Sequence, residues 1–512
     1  MTPQFDPACV DAASFDHPVD NLRIIETHIS WVFLTGRFAY KIKKPVNLDF
    51  VDFHTLDLRK HFCETELRLN RKLAPQLYLD VIPVGGTFAQ PRFGSTPAID
   101  YAVRMHQFAQ HERLDHLLAE GQLNLQDGAD LGAYIAEIHL SAQRADDDDD
   151  FGKIRSVVSP IFMNYRTLDD LPLSDILRDR LYAQRQRDVQ LLRRLRKTLS
   201  QRHADGFIRD CHGDLHLGNL VRLNHQIVAF DRLEFDPALR WIDVINEAAF
   251  PYMDFIHNGR TDLAFEFLNA YLERTGDYAG LAVLPLYAAY KAIIRAKVSA
   301  CNTSMTASLR EKDITMHVDC AARLSRRTAP KILLMHGFSC SGKSRVANTL
   351  KSVLPAIRLR ADVERKRSFG LAPLERAAAK PGGGIYSASA TQALYQRLLS
   401  LVRHITDAGF HAIVDATFLM AWQRTLFLEL AESTAYDLVI IDCKAPVSVL
   451  RERLARRNAA DDDPSDATTD VLTWQLENSD ALTTVEKAYR VAVNTDGNPD
   501  LPGLAKALLK PQ

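Results

Sequence analysis

Two runs near the start of the chain, Ile29 to Thr35 and Phe38 to Lys43, have the apolar and β-branched pattern of strands, and the Gly36-Arg37 pair between them predicts a tight hairpin. Lys41 falls in the second run. From Leu56 to Leu73 apolar residues recur at helical spacing, with Glu64 and Glu66 inside the run, and Tyr78 to Pro83 returns to strand character. The first lobe is therefore predicted to be small and β-rich, with one helix. From about Phe108 to Arg323 the period is mostly helical, as in Asp130 to His139, Asp179 to Leu199, Thr261 to Thr275 and Leu284 to Val298, broken by a loop-rich region at 208–236. A helical second lobe is expected.

The pattern changes again between Ala321 and Lys331, a charged stretch whose Pro330 stops a preceding helix. Beyond it, strand-like runs at Lys331 to Met335, Ala356 to Leu359, His411 to Asp415, Asp437 to Asp442 and Tyr489 to Val493 alternate with helical patterns, which predicts an α/β domain with a parallel sheet. The predicted division is 1–325, a linker at 326–330, and 331–512. No repeat of fixed period is evident, and Gly382-Gly383-Gly384 is a short low-complexity tract.

Composition narrows the function classes. The 512 residues are 46% hydrophobic, enough for several cores, and 63 Lys plus Arg against 64 Asp plus Glu give a net charge of -1. No global field attracts nucleic acid or an anionic membrane, so neither is expected as a partner. The seven cysteines are scattered and form no C-x-x-C pair, which argues against a disulfide framework or a zinc site. No basic leader followed by an apolar core, and no long apolar run, is present, so a cytoplasmic location is expected. The acidic run Asp146 to Asp150 is expected to be a solvated loop without a function.

The first candidate chemistry lies in Cys211-His212-Gly213-Asp214-Leu215-His216-Leu217-Gly218-Asn219. Phosphoryl transfer needs a carboxylate to orient and deprotonate the acceptor hydroxyl, and hard oxygens to hold Mg²⁺ against the nucleotide phosphates. Asp214 is the expected base, Asn219 a metal ligand, and Asp231, twelve residues further on after Ile227-Val228-Ala229-Phe230, the second metal ligand. Lys41 on its strand, paired with Glu66 on the following helix, is expected to position the phosphates, with Glu64 as the competing partner. Against this stands a plain turn, since Asp, Asn and Gly favour loops anyway. Lys41, Lys43 and Lys44 also read as crowding an edge strand, where lysines often serve only solubility.

These residues carry a resemblance. His212-Gly-Asp-Leu-His-Leu-Gly-Asn219, Phe230-Asp231-Arg-Leu-Glu234 and Trp241-Ile-Asp243 resemble the aminoglycoside phosphotransferase and choline kinase group over about 27–325. The resemblance implies an α+β protein-kinase-like fold that uses ATP and Mg²⁺ to phosphorylate a small hydroxyl acceptor. Thr27-His-Ile-Ser-Trp-Val-Phe-Leu-Thr-Gly36, Tyr40-Lys-Ile-Lys-Lys-Pro-Val46 and Glu66-Leu-Arg-Leu-Asn-Arg-Lys-Leu73 look like a bacterial branch fused to an ATP-binding domain. No G-x-G-x-x-G covers the phosphates, and a short hairpin at Thr35-Gly36 is expected in its place.

The second candidate chemistry is Gly337-Phe338-Ser339-Cys340-Ser341-Gly342-Lys343-Ser344, a phosphate-cradling loop between a predicted strand and a predicted helix. Backbone N–H groups of this loop, including those at Gly337, Ser339, Ser341 and Gly342, suit the β-phosphate, Lys343 the β and γ oxygens, and Ser344 Mg²⁺. Asp415, ending His411-Ala-Ile-Val-Asp415, is expected to hold the metal, with Asp442 as its rival. Asp362 and Arg365 are placed to activate an acceptor hydroxyl and clamp its neighbouring group. Arg451, Arg453, Arg456 and Arg457, before the Asp-rich segment 461–466, suggest a lid that neutralises transferred charge. With Tyr386-Ser387 and Val414-Asp-Ala-Thr-Phe418, the segment 331–496 resembles P-loop kinases of the polynucleotide kinase, gluconate kinase and zeta-toxin type, to which an AAA label also attaches through the P-loop.

The expected function is a bifunctional ATP-dependent small-molecule kinase with two ATP/Mg sites. The alternatives are a regulatory ATP-binding protein with one degenerate site, or a nucleic-acid or nucleotide-sugar kinase acting through the P-loop segment. Oligomeric state has no sequence signal.

Overall fold

The computed structural model describes residues 5–48, 51–146, 149–302, 304–375, 383–460 and 468–509. Asp147, Asp148, Gly382 and the Asp-rich segment 461–466 lie outside the described residues. Contacts divide the chain into two compact units, one of Met1–Leu123, Ser141–Met163 and Leu199–Asp254, the other of Asn124–Leu140, Asn164–Thr198 and Phe255–Gln512.

The first unit contains a six-stranded antiparallel sheet in the order Arg23–Glu26, Ser30–Leu34, Phe38–Lys43, Asp100–His106, Tyr78–Thr87, Gln90–Phe93. Alternation along the strands sends Trp31, Phe33, Tyr40 and Ile42 to one face, where they form a core with Phe5, Val10, Phe15, Val84 and Phe93. Lys41 and Lys43 point to the other face. The lysine strand is not an edge strand: it pairs with Ser30–Leu34 on one side and Asp100–His106 on the other. The solubility reading of its lysines fails for that reason.

Helix Leu56–Asn70 starts at Thr55, whose side chain accepts from Leu58 N–H at 3.2 Å, and Asp57 in the first turn complements the helix dipole. Arg59, Cys63, Glu66 and Asn70 are its inward residues. Their spacing of four, three and four puts them on one stripe, so Glu66 faces inward while Glu64 is 57% exposed and lies 4.0 Å from Lys60. Further on, strand Leu220–Leu223 turns back on Gln226–Ala229 through Asn224 and His225, both at positive φ (48° and 64°), as a two-residue hairpin requires. That hairpin separates Asn219 from Asp231 along the chain.

The second unit holds a five-stranded parallel sheet in the order Ala356–Arg360, His411–Asp415, Lys331–His336, Asp437–Lys444, Arg490–Asn494. Its central strands are apolar along their length, as strands covered on both faces are: all of His411–Asp415 and Ile332 to Met335 are buried. Helix Lys343–Val353 packs Val346, Ala347 and Leu350 against this sheet, in a core that includes Leu333, Ile413, Val439 and Ile441. The unit also contains helices Thr261–Thr275, Leu284–Cys301 and Ala307–Leu324. The expected fold classes are thus both present. All seven cysteines are free thiols, and among the described residues no helix is long and apolar enough to cross a membrane.

Candidate active sites

In the first unit, antiparallel pairing and the helix stripe bring Lys41 and Glu66 together. Lys41 Nζ donates to Glu66 Oε1 at 2.9 Å and also to Asp231 Oδ1. Lys43 repeats the arrangement one step deeper, donating to Glu66 Oε2 at 2.7 Å and to Glu234 Oε1. Burial pulls the Lys41 ammonium down, but Asp231, Glu66 and Glu234 outweigh it and hold it well above its ordinary value, so it stays charged. Desolvation pushes Asp231 up, and the Lys41 ammonium more than offsets this, leaving the carboxylate below its usual range. Burial keeps Glu234 raised despite Lys43. The cluster sets three carboxylates against two ammonium groups, and the net negative charge suits a cation.

The motif loop is built from below. Glu247 receives His212 N–H at 2.9 Å and Gly213 N–H at 2.6 Å. His212 Nε2 bonds the Phe230 carbonyl at 2.8 Å, and Asp214 N–H bonds its Nδ1 at 3.3 Å, a partner set that assigns the neutral Nε2–H tautomer. Burial pushes the imidazole pKa down, consistent with that state. Gly213 sits at φ 93°, and a Cβ there would meet the Leu239 carbonyl at 2.8 Å. Asn219 Nδ2 donates to the Asp214 carbonyl at 2.9 Å, which leaves its Oδ1 as the oxygen suited to a hard cation. Asp214 keeps a half-exposed carboxylate, 3.7 Å from His216 Nε2. Asp231 is at φ 64°, its N–H held by Tyr78 Oη at 3.0 Å. Arg232 is buried and donates to the Cys211 and Asp210 carbonyls at 2.9 and 2.7 Å, while Asn70 holds its backbone at both ends. Arg232 and Asn70 thereby fix the end of strand Gln226–Ala229 to the motif loop and to the Glu66 helix.

The Gly36-Arg37 hairpin forms as expected, joining Ser30–Leu34 to Phe38–Lys43, and its turn lies at the end of the lysine strand away from Lys43 and Lys44, where Gly36 N–H bonds Gln107 Oε1 at 2.8 Å. The turn beside Lys43 and Lys44 is Thr27 to Ile29: Lys44 N–H bonds the Ile29 carbonyl at 2.8 Å, and Thr27 Oγ1 accepts from Ser30 N–H at 2.9 Å.

In the second unit the loop between strand Lys331–His336 and helix Lys343–Val353 has three residues at positive φ, Gly337 at 137°, Cys340 at 62° and Gly342 at 86°. A Cβ at Gly337 would lie 2.5 Å from the Cys443 carbonyl, so the close approach demands glycine. Ser341 Oγ is buried without a hydrogen-bond partner, and the Lys343 ammonium is folded onto the Phe338 carbonyl at 2.6 Å. Burial pushes the Lys343 pKa down, with Asp415 opposing. An unmatched hydroxyl and a desolvated ammonium turned into its own loop are what an anion cradle has before the anion arrives. Ser339 is held by Gln475, which accepts from its N–H at 2.9 Å and donates to its Oγ at 3.0 Å.

Asp415 is buried at the end of its strand. Desolvation raises its pKa, and Arg358, which donates to Oδ2 through Nε at 3.2 Å and through Nη2, outweighs this and holds it low; the Ser344 hydroxyl contributes in the same direction. The hard oxygens of Ser344 and Asp415 fit Mg²⁺. The rival Asp442 is occupied elsewhere, by His336 Nδ1 at 2.8 Å and Arg490 Nε at 2.6 Å.

Asp362 lies in the first turn of helix Ala361–Ser368, near enough to Lys343 and Tyr395 to act on both electrostatically. Arg365, buried, donates to the Ile385 carbonyl at 2.7 Å and lies 4.9 Å over the Tyr386 ring. Arg453 is tied to the cradle, donating to the Thr495 carbonyl at 2.6 Å and the Cys340 carbonyl at 3.4 Å. Arg456 is 79% exposed and pairs with Glu452 at 2.6 Å, and Arg457 shares its helix, Val447–Ala460. A cleft of about 350 Å³ opens beside the cradle between Lys444, Pro446, Ala492 and Asn494.

Sequence reasoning passed over Lys43, Glu234, Asn70, Arg232, Glu247 and Arg358. Glu234 stood inside a recognised motif without a role, and the i, i+4, i+7, i+11 stripe of the first helix already pointed to Asn70. Lys43 and Arg358 had no signal, because a charged residue on a strand reads as solvent-facing until its partners are known.

A family model described as an AAA domain matches residues 332–482. An uncharacterized protein of Mycobacterium tuberculosis (strain H37Rv) is 29% identical over 485 residues, covering 92% of this chain and 92% of that relative. Among solved structures, an aminoglycoside phosphotransferase from Alicyclobacillus acidocaldarius is similar with a TM-score of 0.38 and 13% identity, over 62% of this chain and 93% of that chain. A gluconokinase from Sinorhizobium meliloti 1021 is similar with a TM-score of 0.24 and 22% identity, over 36% of this chain and 91% of that chain.

Proposed function

We propose that the protein is a bifunctional ATP-dependent kinase with two separate nucleotide sites, each transferring a γ-phosphoryl group to a small hydroxyl acceptor in the cytoplasm. The observation that carries this reading is Lys41 Nζ held between Glu66 and Asp231, because phosphoryl transfer needs a fixed cation beside a metal-binding carboxylate. In segment 1–325, Lys41 binds nucleotide phosphates, Glu66 orients it, and Asn219 with Asp231 would hold Mg²⁺. Asp214 accepts the acceptor's proton as its oxygen bonds to phosphorus and the bond to ADP breaks. In segment 331–512, the N–H groups of Gly342, Lys343 and Ser344 cradle the phosphates, those of Gly337, Ser339 and Ser341 being taken by the Thr417 carbonyl, Gln475 and the Phe338 carbonyl, and Lys343 leaves Phe338 to meet them. Ser344 and Asp415 would hold the second Mg²⁺, Asp362 serves as base, and Arg365, Arg453, Arg456 and Arg457 serve transferred charge. Bound metal supplies charge neutralisation of the phosphate oxygens at each site.

The test is the stoichiometry of binding by a non-hydrolysable ATP analogue, measured calorimetrically on the full chain. Two sites are expected, one removed by Lys41→Ala and the other by Lys343→Ala. A single site, or a pair that both variants leave intact, contradicts the proposal.

A further inference from the structure

The P-loop sheet ends at strand Ala356–Arg360, an edge whose outward backbone groups need partners. They find them on helix Thr261–Thr275, which belongs in chain order to the segment before the linker. Asn269 Oδ1 accepts from Arg358 N–H at 2.7 Å and Asn269 Nδ2 donates to the Ala356 carbonyl at 2.9 Å, so one side-chain amide serves the edge as a neighbouring strand would. Glu266, one turn before, accepts from Lys351 Nζ at 2.7 Å and Ser352 Oγ at 2.6 Å, at the C-terminal end of the helix that begins with Lys343 and Ser344. Glu273, one turn after, accepts from Arg360 Nη1 at 3.2 Å. Residues 266, 269 and 273 are spaced three and four apart, so a single helix face grips the cradle helix and the edge strand together.

Arg358 makes this grip chemically relevant. Its backbone is held by Asn269, and its guanidinium is the principal partner of Asp415, on which the Ser344 hydroxyl also acts. We propose that Asn269 is a positioning residue of the P-loop magnesium site, acting through Arg358 on Asp415, so that helix Thr261–Thr275 is a working part of that site. The inference rests on the P-loop reading above. A residue that orients a metal ligand through one intermediary changes metal affinity by roughly tenfold or more when removed, without touching the phosphates themselves. Asn269→Leu removes the bonds to Arg358 and Ala356, and the amide's bond to the Phe265 carbonyl in its own helix, while keeping the branched shape and the number of side-chain heavy atoms. Asn269→Asp keeps the acceptor for Arg358 N–H and loses the donor to the Ala356 and Phe265 carbonyls.

The experiment uses the full chain with Lys41→Ala in the background, which leaves the P-loop as the nucleotide site, and follows binding of a fluorescent ATP analogue as Mg²⁺ is titrated. Lys343→Ala must abolish the signal; if it does not, the P-loop reading itself fails, whatever Asn269 does. Given that control, Asn269→Leu is expected to raise the Mg²⁺ midpoint roughly tenfold while Mg²⁺-free binding is unchanged, with Asn269→Asp falling between it and the parent. A lowered melting temperature with an unmoved Mg²⁺ midpoint shows that Asn269 only holds the fold and overturns the inference. Should Asn269→Leu not fold, Asn269→Ala, which removes the same bonds without added bulk, decides: a midpoint equal to the parent's overturns it, and a raised one supports it.

Discussion

Lys43 donates to Glu66 Oε2 at 2.7 Å, and both side chains are fully buried. Lys41 takes the other oxygen of the same carboxylate, so one glutamate holds two lysines with different exposures, Lys41 at 12% and Lys43 at 0%. The outer lysine faces Asp231; the inner one is buried between Glu66 and Glu234. Removing the inner cation should therefore damage stability more than chemistry. Lys43→Met leaves two buried carboxylates short of a partner, a loss of about 3–5 kcal/mol for a broken buried pair. Urea unfolding is expected to show it, and Lys43→Met with Glu234→Gln should recover a substantial part, because the second change removes one of the unmatched charges.

Asp442 predicts an acid-sensitive element of the parallel sheet. Burial raises its pKa, but His336 and then Lys444 and Arg490 more than offset this and bring it to about 2 from an ordinary 3.8. The folded value lies below the unfolded one, so the stabilisation is complete above about pH 4 and is lost as pH falls toward 2. Asp442→Asn is expected to cost roughly 2 kcal/mol near neutrality, and its deficit against the parent should close as pH drops through that window. Denaturant melts at stepped pH check the sign; a deficit independent of pH would mean that packing and not charge is lost.

Gly337 is the most restrictive position of the phosphate cradle. Its φ of 137° and the Cys443 carbonyl 2.5 Å from a built Cβ leave no room for a side chain. Gly337→Ala should abolish nucleotide binding at the P-loop while leaving binding that depends on Lys41 intact. Calorimetric titration of the variant reads both, and a retained P-loop site would show that the cradle is not this loop.

Much of this architecture could be read from the chain. Strand Phe38–Lys43, helix Thr261–Thr275 and strand His411–Asp415 fall where periodicity put them, because burial on one face or on both leaves a pattern in the residues themselves. The inward turn of Glu66 over Glu64 is a matter of helical phase, and Glu66 shares its stripe with Arg59, Cys63 and Asn70. What the sequence hid is tertiary. Strand Asp100–His106, which makes the lysine strand an interior one, comes from a segment more than fifty residues away, and nothing local to Lys43 announces it. Asn269 reads as an ordinary helix residue until the edge strand it completes, nearly ninety residues later, is in place. Glycine announces the Gly36 turn in the sequence, whereas the turn that adjoins Lys44 is closed by the Thr27 hydroxyl, which carries no such signal.

The most direct test of two kinase sites on one chain is product formation. Wild type, Asp214→Asn and Lys343→Ala are incubated with labelled ATP, Mg²⁺ and a bacterial metabolite extract, and phosphorylated products are followed by mass spectrometry. The account predicts two products, one lost with Asp214→Asn and the other lost with Lys343→Ala. No transfer despite saturable ATP binding, or a single product lost in both variants, would contradict it.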